Sequence, residues 1–249
     1  MFSYSFVRFG KNLVNDVIIQ GLGLEGTAAS LVLVGGVLLC MIIAYLLGSL
    51  NFGIILSKAI FHEDIRNSGS GNAGSTNMLR TYGKKIAALT LALDMLKGAI
   101  AVIIGSLILG CDYPIDGTAI AGLFVVIGHM FPCFFGFKGG KGVATTGMIM
   151  LVTRPMIFLI AMTAFLIIVI GTKYVSLGSV VGAMLYPILL YRLDTYKIDG
   201  TSGVGGNGWN VLCATLIMLL VVFMHRSNLK RLMEGKESKI SFGKGTKEK

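Results

Sequence analysis

Charge is scarce in this sequence. Only 14% of its 249 residues are Asp, Glu, Lys or Arg, where a soluble domain carries about 25%. The hydrophobic residues, 54% of the chain, gather into runs that no soluble core requires. Together these features exclude a water-soluble globule and identify an integral membrane protein. Ten-residue segments of alternating polarity are missing, which excludes a transmembrane barrel and leaves helices to satisfy the backbone in lipid. Cys40, Cys111, Cys133 and Cys213 have no paired spacing, so neither a disulfide framework nor a zinc site is expected and they read as packing residues. Acidic residues number 12 against 22 basic ones. No carboxylate pair, no metal-ligand cluster and no Ser–His–acid set stands out, and no metal or cofactor is expected. A basic approach and a small-residue cleavage site before the first apolar run are also missing, so no cleavable signal is expected.

The long apolar runs define the organisation. Residues 1–26 form an N-terminal extension in which Phe2, Phe6, Phe9, Leu13 and Val17 recur at helical spacing, fitting either an interfacial amphipathic helix or a loosely ordered tail. Spans are expected over about 27–56 (broken by Gly35-Gly36 and Gly48), 86–109, 118–130, 143–152, 156–170, 177–190 and 209–224. Arg154-Pro155 separates the fourth from the fifth by a tight turn, and Pro187 interrupts the sixth. The fold class is therefore all-α, polytopic, with seven transmembrane helices in a membrane domain over 27–235 and a basic tail over 236–249.

Basic residues fix the expected orientation. Lys58, Arg66, Arg80, Lys84, Lys85, Lys138, Lys141, Lys173 and the eight Lys and Arg after residue 225 fall on one side of a seven-span chain. Arg8, Lys11, Arg154, Arg192 and Lys197 fall on the other, and Lys97 lies within a span. The positive-inside rule puts the richer side, with the C-terminus, in the cytoplasm and the N-terminus outside. The formal charge of +10 thus reports topology and contact with anionic membrane lipid rather than nucleic acid.

Two glycine-rich cationic loops lie on that richer side. The first, NSGSGNAGSTNMLR over 67–80, combines Gly69, Gly71 and Gly74 with the hydroxyls of Ser70, Ser75 and Thr76 and with Arg80, a fork for two phosphate oxygens. The second, GFKGGKGVAT over 136–145, lacks the P-loop spacing but feeds Gly139, Gly140 and Gly142 into an apolar helix start, with Lys138 and Lys141 as point charges. Turn formation alone would explain isolated glycines, and topology alone would explain the lysines. Neither explains both together. Asp94 and Lys97 lie three apart within the second span, as an ion pair beneath the site or as part of it. His129 closes the third span, where packing and ligand binding are equally served. His225 and Asn228 share a helix face after the last span, as a pocket wall or as part of a basic collar.

These blocks resemble the bacterial acyl-phosphate-dependent glycerol-3-phosphate acyltransferase family. The match is carried by GSGNAGSTN (69–77) with Arg80, by GHMFP (128–132) running into FKGGKGVAT (137–145), and by His225, Asn228 and Arg231. The segments AYLLGS (44–49), LDMLKG (93–98) and YVSLGS (174–179) support it, so the resemblance covers roughly residues 35–240. It implies transfer of a fatty acyl group from acyl phosphate to the sn-1 hydroxyl of glycerol 3-phosphate, giving lysophosphatidate and phosphate. It further implies Ser70, Arg80, Lys141, His225 and Asn228 as the catalytic set. Asn72, Thr76, Asn77, Lys138, Gly139, Gly140, Gly142, Thr145 and Ser179 become substrate-binding, and Lys97, His129 and Glu237 supporting. The implied location is the bacterial inner membrane with the site facing the cytoplasm, and the enzyme that makes acyl phosphate is a possible partner. The extension over 1–26 and the glycine-rich loop over 192–208 depart from the family pattern. A transporter of a phosphorylated solute is the competing class, but it would call for an internal repeat, and none stands out. A nucleotide-dependent enzyme would call for a magnesium carboxylate beside the loops.

Overall fold

A computed structural model describes residues 11–111, 115–193, 195–198, 201–204 and 208–240. Ten α-helices and one hairpin make up these residues: α1 (Gly26–Ser49), α2 (Phe52–Phe61), α3 (Ser75–Tyr82), α4 (Lys84–Leu109), α5 (Gly117–Met130), α6 (Val143–Thr153), α7 (Pro155–Thr172), α8 (Val175–Leu193), β1 (Thr195–Ile198) paired antiparallel with β2 (Thr201–Val204), α9 (Gly208–Met224) and α10 (Arg226–Met233). Among the described residues the only strands are those of one short hairpin, which falls within the glycine-rich loop. Expected residues Phe2, Phe6 and Phe9 lie outside the described part, as does the tail beyond residue 240.

Helix α5 is the axis of the bundle. Ala121, Val125, Val126 and Met130 on it are fully buried. Its closest neighbour is α1, and the two backbones touch. A Cβ on Gly48 would lie 2.2 Å from the Val125 carbonyl oxygen, and one on Gly128 would lie 2.2 Å from that of Tyr45. Only glycine permits this approach, the usual way for helices to pack where lipid supplies no hydrophobic drive. The outer faces are apolar: α1 exposes Leu31, Leu38 and Ile42, and α7 exposes Leu159, Ile167 and Ile170.

Several boundaries differ from the sequence reading. The first apolar run does not continue to Leu56 but breaks at Leu50-Asn51. The side-chain oxygen of Asn51 accepts from the Ile54 N–H at 3.3 Å and starts α2 as an N-cap. Pro187 does not interrupt its helix, since α8 runs through it. The break at Arg154 is present, with Pro155 as the first residue of α7. The seven-span count is not met on length. Among the described residues, five helices are long and apolar enough to cross a membrane, or six if α9 and α10, bent by 54°, form one span. The shortfall is α6, whose 11 residues reach only about 16 Å, half of a ~30 Å hydrocarbon core. At the N-terminus, Leu13–Ile19 forms a π-helical turn, and buried Val14 presses on Gly36 of α1. The packed unit also runs past residue 235, since the Ile240 N–H donates to the Lys173 carbonyl at 2.9 Å.

Candidate active site

Both glycine loops, α3, α4, α6, α7, α8 and α10 border one cavity of about 400 Å³. Its lining is of two chemistries. Ser70, Thr76, Arg80, Lys141, His225 and Asn228 bring hydroxyls, amides and cations, beside the carboxylates of Asp94 and Glu237, and Leu91, Met95, Met150, Phe158, Met162 and Phe165 bring apolar surface.

The first loop is held by Asn77, which is 2% exposed. Its Oδ1 accepts from the Ser70 N–H at 2.8 Å, and its Nδ2 donates to the carbonyls of Ser68 at 2.9 Å and Asn72 at 3.0 Å. Asn77 borders the cavity, but its amide is fully engaged in bracing the loop. Gly69 and Gly71 take left-handed backbone, φ 59° and 70°, to make the turn. Arg80 is exposed and makes no hydrogen bond or ion pair among the described residues.

The second loop behaves differently from its sequence reading. The Gly139 N–H donates to the Met130 carbonyl and the Gly140 N–H to the His129 carbonyl, each at 3.0 Å. Neither N–H is therefore free for an anion. Both glycines are needed because the loop folds back onto the end of α5: a Cβ on Gly140 would lie 2.1 Å from His129 Nε2. Lys138 is exposed and outside the cavity wall. Thr145 is also outside it, buried with its hydroxyl donating to the Asp94 carbonyl at 3.2 Å. Lys141 and Gly142 do line the cavity. Arg66, which the sequence reading counted only as a topological charge, ties the two loops together. Its Nη1 donates to the carbonyls of Phe135 at 2.7 Å and Lys138 at 3.0 Å. Asp64 steers it through hydrogen bonds to Nε and Nη2, and the same guanidinium holds the Asp64 carboxyl down at about 2.

Lys97 does not line the cavity. Its ammonium pairs with Asp94 at 2.9 Å and donates to His129 Nδ1 at 2.9 Å. It also donates to the carbonyls of Gly48 at 3.0 Å and Leu50 at 2.8 Å. Those carbonyls belong to the end of α1, where the helix leaves acceptors without partners. Lys97 thus stabilises the break before α2, while Asp94 and His129 border the cavity from below.

A polar relay closes the remaining side. Lys141 Nζ donates to Asn228 Oδ1. Asn228 Nδ2 donates to Glu237 Oε1 at 2.6 Å, which also accepts from the Ser176 hydroxyl at 2.8 Å, and Arg231 Nε donates to Oε2 at 2.8 Å. Burial opposes the Glu237 carboxylate, but these hydrogen bonds outweigh it and keep its pKa below the ordinary value. Burial also pushes the Lys141 ammonium down to about 8, against the pull of Glu237. His225 donates from Nδ1 to the Val221 carbonyl at 2.8 Å, and burial pushes it down to about 4. Its ring is therefore neutral near pH 7 with Nε2 unprotonated. Ser179 borders the cavity with its hydroxyl donating to the Val175 carbonyl at 2.8 Å. Asn72 lies on the same wall.

A helical bundle with an apolar exterior and a mostly apolar pocket that carries two cations, Arg80 and Lys141, fits a membrane-embedded protein whose ligand is an anionic amphiphile. A glycerol-3-phosphate acyltransferase family model matches residues 38–235. The chain is 43% identical to a glycerol-3-phosphate acyltransferase of Thermoanaerobacter pseudethanolicus over 81% of its own length and 94% of that protein's. It is 38% identical to one of Sinorhizobium medicae over 90% and 98%. It also resembles the crystal structure of PlsY (YgiH), an integral membrane glycerol 3-phosphate acyltransferase, in its glycerol 3-phosphate form, with TM-score 0.72 and 36% identity over 82% of this chain and 96% of that one. The lysophosphatidic acid form of the same enzyme gives TM-score 0.67 at 34% identity. The chain belongs to the glycerol-3-phosphate acyltransferase family and is an acyltransferase, not a transporter.

Proposed function

We propose that the chain transfers a fatty acyl group from acyl phosphate to the sn-1 hydroxyl of glycerol 3-phosphate in one step, releasing phosphate and lysophosphatidate. The observation that carries this reading is the divided cavity, whose cationic part suits two phosphates and whose apolar part suits an acyl chain. Arg80 and Lys141 hold phosphate oxygens, with Ser70, Thr76 and Asn228 adding hydrogen bonds. Acyl phosphate already carries a good leaving group, so alignment of hydroxyl and carbonyl supplies much of the rate. A histidine held neutral by burial is a weak base. The proton of the attacking hydroxyl passes instead to a substrate phosphate oxygen, and His225 Nε2 accepts a hydrogen bond from a substrate hydroxyl to position it. Purified protein given both substrates is expected to form lysophosphatidate by sequential kinetics without added metal. A trapped acyl-enzyme, ping-pong kinetics or a chelator-sensitive rate would overturn this scheme.

The same reading includes seven membrane-inserted helices, with the site on the cytoplasmic side of the bacterial inner membrane. A half-length α6 supports it in an unexpected way. If Arg154 lies near the outer surface, the start of α6 and Lys141 lie below the inner surface, where a phosphate site can meet an acyl chain held in lipid. Cysteines at Ser68 and Ser202 should then label from opposite faces of intact cells, and labelling of both by one impermeant reagent would reverse the assignment.

A further inference from the structure

Thr146 is the odd hydroxyl of this bundle. The hydroxyls of Thr90, Thr153, Thr163, Thr172 and Thr215 each donate to the carbonyl four residues earlier in their own helix, at 2.7–2.8 Å. That back-bond is the default for a threonine inside a helix in apolar surroundings. Thr146 is 3% exposed, yet its Oγ1 is buried without a hydrogen-bond partner among the described residues. Leaving a buried hydroxyl unpaired costs about 1–3 kcal/mol, so the position is one a ligand would complete.

Its place in the cavity says which ligand atom. Val143, Thr146, Gly147 and Met150 form the face of α6 that lines the cavity, at the three- and four-residue spacing of one helix side. The start of this face adjoins Lys141 among the cationic groups. Its end, at Met150, belongs to the apolar part. Thr146 stands one turn in, at the boundary. In an acyl phosphate the reacting carbonyl is the atom group that joins phosphate to chain, so a donor filling both parts of the cavity brings its carbonyl to this level.

We propose that the Thr146 hydroxyl donates a hydrogen bond to the carbonyl oxygen of the acyl donor and stabilises the negative charge that develops there. This rests on the acyl-transfer reading above. The glycerol oxygen forms a bond to the carbonyl carbon, and its proton goes to a substrate phosphate oxygen. The bond from that carbon to the phosphate oxygen breaks, and the electron pair leaves with phosphate. Thr146 keeps its proton throughout.

The test is a three-variant series with acyl phosphate and glycerol 3-phosphate. Thr146→Val keeps the shape and removes the hydroxyl, and is expected to lower kcat about 100-fold. KM for glycerol 3-phosphate should stay within about twofold of wild type. Its thermal midpoint should be unchanged or higher, because no partner loses a bond. Thr146→Ser should retain near wild-type kcat, and Thr146→Ala replaces the valine variant if that one does not fold. Wild-type kcat in the hydroxyl-free variant, or a lowered kcat with a lowered midpoint that serine does not rescue, overturns the proposal. A wild-type enzyme that makes no lysophosphatidate from acyl phosphate sinks the underlying reading as well, so the two failures are distinguishable.

Discussion

The two ends of the bundle carry similar polar residues arranged to opposite effect. At the end where α5 begins, Asp116 is 2% exposed and surrounded. It accepts from the Thr118 N–H at 2.8 Å and from Asn210 Nδ2 at 2.9 Å, and Arg154 Nη2 lies 3.5 Å away. The space left there is about 10 Å³, close to the least a single water needs. At the other end, Arg80 and Lys141 face a cavity of about 400 Å³, and neither pairs with a carboxylate. Glu237 reaches Asn228 and Arg231 instead. A cation that meets its counter-ion inside the protein joins helices. A cation held away from one is kept for an anion that arrives.

The sharpest way to break that contrast is to remove one charge from each end. Asp116→Ala removes the counter-ion of Arg154 and the acceptor of Thr118 and Asn210 and should cost roughly 3–5 kcal/mol of stability, read as a lower thermal midpoint in detergent. Its folded fraction should keep wild-type kcat/KM. Lys141→Ala should do the reverse, lowering kcat/KM for glycerol 3-phosphate about 10- to 100-fold, the worth of a charge-assisted contact, with little change in midpoint. A lost midpoint in the lysine variant together with a raised KM in the aspartate variant would erase the distinction.

Gly140→Ala tests whether the second loop acts through packing. The added Cβ meets His129 Nε2 at 2.1 Å, and overpacking of this kind costs about 1–3 kcal/mol. Because Lys141 is the next residue, the displaced loop should also raise KM for glycerol 3-phosphate. A raised KM with an unchanged midpoint would instead favour direct contact between this glycine and the ligand. Glu237→Gln is expected to have a smaller effect, about fivefold in KM, or ~1 kcal/mol, since glutamine keeps an oxygen for Asn228 while losing the charge. An unchanged KM would detach Glu237 from the relay.

What the sequence allowed to be read follows from which physics is local. Apolar runs, the Arg154-Pro155 break and the placing of both glycine loops on one side were legible because periodicity, proline and charge placement act within a few residues, while their meeting at one site was implied only by the family resemblance. The exact break at Asn51 was not, because Gly48 marks the region without fixing the position and Lys97, far along the chain, supplies the donors that make it tolerable. Lys138 and Lys141 look alike in sequence, each beside a glycine, yet one is solvent-exposed and the other half-buried at the cavity. The same blindness applies to Gly139 and Gly140. Glycine preceding a helix suggests free N–H groups, and only the fold shows those groups engaged by the carbonyls of His129 and Met130. Thr145 and Thr146 are adjacent and chemically identical, so only the helix phase tells which faces α4 and which the cavity.

The last test bears most directly on the cation without a counter-ion. Lys141 carries an ammonium that burial pushes down to about 8, so it is charged at neutral pH and loses its proton within an accessible range. The free enzyme holds the charge below that value and loses it above, while the second ionisation of a phosphate ester lies near pH 6 and is complete before the window opens. Because kcat/KM reports ionisations of the free enzyme, its value for glycerol 3-phosphate should be level to about pH 7 and then decline, falling about tenfold by about pH 9. Lys141→Ala should lack this decline. Glu237→Gln should shift it toward lower pH, since the carboxylate is the neighbour that favours the ammonium. A wild-type profile that stays level to about pH 9 would mean that Lys141 is either uncharged throughout or shielded by a counter-charge. The contrast between the two ends would then rest on Arg80 alone.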